Sequence, residues 1–195
     1  MADLDRREVV KALLADRGEL LVVPGLGSAT WDAAAADGDP RNFYLWGAMG
    51  GAAMIGMGLA LAQPDRPVAV ITGDGEQLMG LGALATIGVR RPRNLSVVVL
   101  DNRHFGETGM QASHTGLGTD LCGVARACNF DWVTEAADME GVADIRKWLH
   151  AMGGCGFARI PIAAIDRERV LPEHDGVKIK NSFRAAIGLT GQAGG

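Results

Sequence analysis

Apolar residues recur along the chain in short blocks of two kinds, and the alternation of the two kinds predicts the fold. Residues 6–17 carry Val9, Val10, Leu13 and Leu14 at helical spacing, the signature of an amphipathic helix. Residues 19–23 (ELLVV), 67–72 (PVAVIT) and 95–100 (LSVVVL) are continuous apolar runs rich in β-branched side chains, as expected of strands buried on both faces. A helix over 77–89 is predicted between the second and third runs. Another is predicted over 139–152, followed by a further strand over 158–165 (ARIPIAAI). After the first strand, Pro24-Gly25-Leu26-Gly27-Ser28 turns the chain into a helix for which Ser28 is the expected N-cap. Two apolar strands joined by a helix form a right-handed βαβ unit with parallel strands. The expected architecture is therefore α/β: an open, mostly parallel sheet with helices on both faces. It is expected to occupy residues 1–190 as a single domain, with 191–195 as a flexible tail.

One stretch tests that picture. Residues 43–62 (FYLWGAMGGAAMIGMGLALA) are twenty in a row without a charge. Five of them are glycine, and a helix beginning near Met49 and ending before Pro64 has only about 14 residues, short of a membrane span. Such small side chains let another backbone come close, so a buried or interfacial packing role is expected in place of a membrane.

Composition narrows the partners. The net charge of -4, from 19 basic and 23 acidic residues, offers no basic excess for nucleic acid or an anionic membrane. Cys122, Cys128 and Cys155 form no C-x-x-C pair and are odd in number, which argues against a disulfide framework and against zinc or iron–sulfur ligation. The charged start MADLDRREVV lacks an apolar signal segment, so a cytoplasmic location is expected.

The chemistry concentrates at two strand ends. Gly73-Asp74-Gly75 closes one central strand and Asp101-Asn102 the next, and βαβ geometry sets those ends side by side, where ligands of such sheets bind. A carboxylate and an amide oxygen are hard ligands suited to Mg²⁺, which fills its remaining positions with water and phosphate oxygens. The glycines allow close backbone approach to a diphosphate, and the next helix, with Glu76 and Gln77 in its first turn, points free N–H groups at it.

Gly-Asp-Gly followed by 26 residues and then Asn102 resembles the signature of thiamine diphosphate enzymes. The segments NFYLWGAMGG, VITGDGEQLMGLGALATIG, NLSVVVLDNRHFGETGMQASHT, GVARACNF and KNSFRAAIG resemble the sulfopyruvate decarboxylase β subunit and the matching part of phosphonopyruvate decarboxylase. The resemblance implies the thiamine diphosphate-binding fold in its diphosphate-binding form. It implies Mg²⁺ on Asp74, Asn102 and the backbone carbonyl of His104, and cofactor contacts from Gly47, Ala48, Met49, Gly73, Gly75, Glu76 and Gln77. Met49 would be the apolar wedge against the pyrimidine, and the Gly47 carbonyl would accept from its 4′-amino group. Thr108-Gly109-Met110-Gln111 and Trp46 depart from the family pattern. Arg103, His104, Thr108, Gln111, His114 and Thr115 are the polar residues past the metal, with Arg103 and His114 the candidates for an anionic substrate group.

In this superfamily a glutamate on a separate pyrimidine-binding domain activates the cofactor, and such a domain needs about 150 residues. The expectation is therefore that no catalytic glutamate lies in this chain and that an α subunit supplies it, making a hetero-oligomeric decarboxylase of a small 2-oxo acid. Two other readings are an acetolactate synthase-like carboligase subunit and a non-catalytic diphosphate-binding module. A 2-oxo acid:ferredoxin oxidoreductase subunit is disfavoured by the absence of cluster-binding cysteines.

Overall fold

The computed structural model describes residues 4–189, and the expected tail at 191–195 lies outside them. Five parallel strands form the sheet: β1 (Leu21–Pro24), β2 (Val68–Gly73), β3 (Leu95–Asp101), β6 (Trp132–Glu135) and β7 (Gly156–Pro161), in the order β1-β2-β3-β7-β6. A small antiparallel hairpin, β4 (His104–Phe105) with β5 (Gln111–Ala112), stands beyond the end of β3. The expected open sheet with helices on both faces is the one observed.

The two faces follow from the period-2 alternation of side chains along a strand. Val68 and Val70 face one core, with α3 (Ala52–Ala62), α5 (Ala83–Arg90), α6 (Leu121–Ala127) and α8 (Gly176–Ala186). Ala69 and Ile71 face the other, with α1 (Arg6–Leu14), α2 (Ser28–Ala36) and α7 (Met139–Ala151). Chain direction explains the sides. The order β1, β2, β3 advances across the sheet and β6 to β7 steps back, so right-handed crossovers put α3 and α5 on one face and α7 on the other.

Local differences from the expected elements have physical causes. The helix predicted over 77–89 is two helices, α4 (Asp74–Met79) and α5, because Gly80 packs against the Gly50 backbone and the chain turns there. The apolar helix starts at Ala52, three residues later than expected, since Ala48 (φ 58°) and Gly50 (φ 90°) are left-handed and closed by a Gly51 N–H to Ala48 carbonyl bond of 2.8 Å. Ser28 opens α2 but does not cap it. Gly27 holds the cap position, and the Ser28 hydroxyl accepts from Arg6 Nη1 at 2.5 Å. The last expected strand runs from Gly156 to Pro161, and beyond it the Ile162 N–H still donates to the Asp101 carbonyl at 3.0 Å.

Helix α3 packs as its composition implies. Ala52, Ala53, Gly56 and Ala60 are buried, and a Cβ on Gly56 would stand 2.2 Å from Val70 Cγ2, so only glycine lets the helix sit this close to β2. Among the described residues, no helix is long and apolar enough to cross a membrane.

Candidate functional site

Gly73 is in register with Leu100, so β2 and β3 deliver Asp74 and Asp101-Asn102 to one edge of the sheet. A cleft of about 150 Å³ opens there. Its wall takes Leu26 and Ser28 from the turn into α2, Met49 from the turn before α3, Gly73 to Glu76 from the end of β2, Asn102 from the end of β3, and His104 to Thr108 from the hairpin. Sequence positions far apart are thus gathered by the segments at the carboxyl ends of β1, β2 and β3 and by the turn before α3.

Asp74 is only 2% exposed. Its Oδ2 accepts from the hydroxyls of Ser113 at 2.5 Å and Thr115 at 3.3 Å. The single Thr115 O–H is shared with Asp101 Oδ1, the nearer acceptor at 2.8 Å, and Asp101 is held by Arg159 Nε at 2.5 Å and by the Arg103 N–H at 2.9 Å. Burial pushes the Asp74 carboxyl above its ordinary value, the Ser113 hydrogen bond opposes this, and the neighbouring Asp101 charge adds to it. Asn102 lies at the lip of the same cleft, its Oδ1 accepting from the His104 N–H at 2.8 Å. His104 Nδ1 lies 2.7 Å from the Asn102 carbonyl oxygen.

Glu76 is only 6% exposed. Its carboxylate accepts from Thr72 Oγ1 at 2.8 Å, from Leu26 N–H at 3.0 Å and from Gly50 N–H at 3.3 Å. Burial is the largest influence on this carboxyl and raises its pKa, against those hydrogen bonds.

Of the expected site residues, the cleft brings together Met49, Gly73, Asp74, Gly75, Glu76, Asn102 and His104. Gly47 and Ala48 are exposed in the adjoining turn. Gln77 is buried, its Nε2 reaching the Gly80 carbonyl at 3.4 Å. Arg103 and His114 stand outside the cleft wall: Arg103 has φ 63°, and His114 packs edge-on against Phe105 with centroids 5.7 Å apart. Thr115, grouped by sequence with possible substrate contacts, braces Asp74 and Asp101 instead.

Sequence reasoning missed Ser113, since nothing in the spacing ties it to Asp74 across the hairpin. It also missed Arg6. This buried arginine pairs with Asp32 at 2.9 Å, meets Ser28, and lines both the cleft and an adjoining cavity of about 70 Å³ that includes Arg169. Trp46 is tied across to the segment after β7, its Nε1 donating to the Glu173 carbonyl at 2.8 Å.

Residues 25–155 match the family model of the thiamine pyrophosphate enzyme, C-terminal TPP binding domain. The chain is 41% identical over 130 residues to a protein named sulfopyruvate decarboxylase subunit beta from Methanocaldococcus jannaschii, covering 66% of this chain and 69% of that one. The protein of the same name from Methanothermobacter thermautotrophicus is 36% identical over 172 residues, 86% of this chain and 92% of its own. Phosphonopyruvate decarboxylase of Streptomyces viridochromogenes is 34% identical over 171 residues, and there the match spans 85% of this chain but 42% of that protein. In fold, the chain is similar to the thiamine diphosphate-dependent 4-hydroxybenzoylformate decarboxylase of Rhodococcus jostii RHA1. The TM-score is 0.68 at 18% identity, over 86% of this chain and 34% of that one. The family match spans the loop before α2, the Met49 turn, both strand ends and the hairpin, and on that ground the chain belongs to the thiamine pyrophosphate enzymes, carrying their C-terminal TPP-binding domain.

Proposed function

We propose that this chain is the β subunit of a thiamine diphosphate-dependent decarboxylase acting on a 2-oxo acid of the sulfopyruvate or phosphonopyruvate class. The observation that carries the reading is the convergence of Met49, Asp74 and Asn102 on one cleft at the ends of β2 and β3. When bound, the cofactor supplies the thiazolium carbon on which a 2-oxo acid loses carbon dioxide.

The residues fit the group. Asp74 is a buried carboxylate whose side-chain partners among the described residues are hydroxyls, not cations, a state that a divalent ion relieves. Among the described residues, no group of three or more His, Cys, Asp or Glu could hold a metal. A site of one carboxylate and one amide oxygen suits Mg²⁺, which takes phosphate oxygens for the rest. Asp74, Asn102 and the His104 carbonyl would hold it, with Gly73 and Gly75 leaving room for the diphosphate. The Gly47 carbonyl would accept from the aminopyrimidine, and Met49 would orient it.

The activating glutamate comes, in this reading, from a partner subunit with the pyrimidine-binding domain. Support lies in the relatives named as β subunits, one of them matched over 92% of its length, and in the part of phosphonopyruvate decarboxylase left unmatched. The outer side of α3 and the end of α4 expose Met54, Leu61 and Met79, an apolar surface suited to an obligate interface. The test is to purify the chain with its genomic neighbour and measure carbon dioxide release across a panel of 2-oxo acids. Aldehyde formation from a sulfonate- or phosphonate-bearing acid supports the reading. Hydroxyketone formation would make it a carboligase, and no turnover with any acid would leave a diphosphate-binding module.

A further inference from the structure

We infer that Glu76 is a positioning residue whose carboxylate fastens the Met49 turn to the diphosphate end of the cleft, so that its contribution to turnover runs through Met49 and not through contact with the cofactor. The inference rests on the proposed cofactor site.

The geometry divides the work between the two oxygens. Oε2 accepts from Thr72 Oγ1 at 2.8 Å and from Leu26 N–H at 3.0 Å, joining the end of β2 to the turn before α2. Oε1 accepts from Gly50 N–H at 3.3 Å, in the residue after Met49. One buried group therefore ties three segments that are remote in sequence, and all its partners here are neutral N–H and O–H donors. The space it fills is reserved by glycine: a Cβ on Gly25 would stand 1.9 Å from Glu76 Oε2. With the carboxylate spent on the Thr72 hydroxyl and on the Leu26 and Gly50 N–H groups, little of its hydrogen-bonding capacity remains for a ligand.

Two variants separate the oxygens. Glu76→Gln has one acceptor oxygen. With that oxygen toward Thr72 and Leu26, its NH₂ faces the Gly50 N–H and the second tie is lost. Glu76→Ala loses both ties. The partner-assembled protein is studied without cofactor by amide hydrogen exchange at Leu26 and Gly50, and with cofactor by affinity, KM and kcat.

The expected result for Glu76→Gln is faster exchange at Gly50 with Leu26 still protected. Cofactor affinity should stay within about threefold and KM should be little changed, while kcat falls about tenfold or more, the effect of a misplaced orienting group. Glu76→Ala should lose protection at both amides and weaken cofactor binding as well. A merely structural role would lower affinity, kcat and melting temperature together in both variants, and that pattern, or an unchanged kcat in Glu76→Gln, would overturn the inference. If the assembled wild-type protein does not bind thiamine diphosphate, the functional reading fails, and unchanged Gly50 exchange in both variants would separately refute the tie.

Discussion

Gly80→Ala should disable the enzyme without touching a single atom of the proposed ligand. Gly80 lies in the break between α4 and α5, where a Cβ would stand 2.1 Å from the Gly50 carbonyl oxygen and 3.2 Å from Gly50 Cα. Both are backbone atoms, so no rotamer change relieves the clash, and the two segments must part by about 1 Å or more to reach a tolerable contact. Gly50 follows Met49 directly, and the displacement passes to the proposed wedge. A misplacement of about 1 Å at an orienting group costs on the order of 100-fold in rate, while overpacking of this kind costs about 1–3 kcal/mol in stability. Gly82→Ala is the control. Gly82 has right-handed backbone angles (φ -61°, ψ -20°) and nothing within 4 Å of a new Cβ, so it should gain about 0.4–1 kcal/mol and keep full activity. The assay is kcat of the partner-assembled protein, with thermal melting on both variants. Gly80→Ala turning over within twofold of wild type would refute the coupling between the break and the Met49 turn.

Met49→Ala should lower turnover more than cofactor affinity, because a wedge orients the pyrimidine and does not hold the diphosphate; an unaltered kcat at saturating cofactor would return Met49 to a packing role. In the proposed site Asp74 would bind metal as a carboxylate, and its pKa is raised by burial, so Mg²⁺ affinity should fall as pH drops through that raised value, at a higher pH than for an ordinary aspartate. In the metal-free chain the sign is opposite: the stability gained from holding the proton is full below the ordinary value of 3.8 and lost as pH rises through the folded pKa. Ser113→Ala removes the hydrogen bond that lowers this pKa, so the acid limb of Mg²⁺ affinity should move to higher pH, and an unmoved limb would contradict the assignment. Burial pushes the thiols of Cys122 and Cys155 up to about 11 and about 12, so in the native protein at pH 8 a thiol reagent should modify Cys128 well before either; equal rates at all three would refute that burial.

What could be read in the sequence was set by how strongly local chemistry dictates structure. β1 and β3 are buried at every position and β2 at all but its last, so their apolar runs announced them. β6, at one of the sheet's two edges, is partly exposed along Trp132–Glu135 and carries no such run. The helix after β2 read as continuous because Leu78, Leu81 and Leu84 keep helical spacing. Gly80 breaks it for a reason that lies on Gly50, thirty positions earlier in the chain. Asp74 and Asn102 were legible because each sits at the end of a strand the pattern had already placed. The Ser113 and Thr115 hydroxyls that hold Asp74, and the ties made by Glu76, depend on loops meeting in space. Glu76 illustrates the limit well: beside Gly-Asp-Gly it reads as a cofactor contact, and only the approach of Leu26 and Gly50 shows where its oxygens go.

The central claim is that thiamine diphosphate binds in this cleft through a metal on Asp74 and Asn102. Calorimetric titration of thiamine diphosphate into the partner-assembled protein, with and without Mg²⁺, tests it most directly when run on wild type, Asp74→Ala and Asn102→Ala. The account predicts Mg²⁺-dependent binding in wild type and its loss in both variants, with circular dichroism showing the fold intact. Cofactor affinity unchanged in the two variants would contradict it.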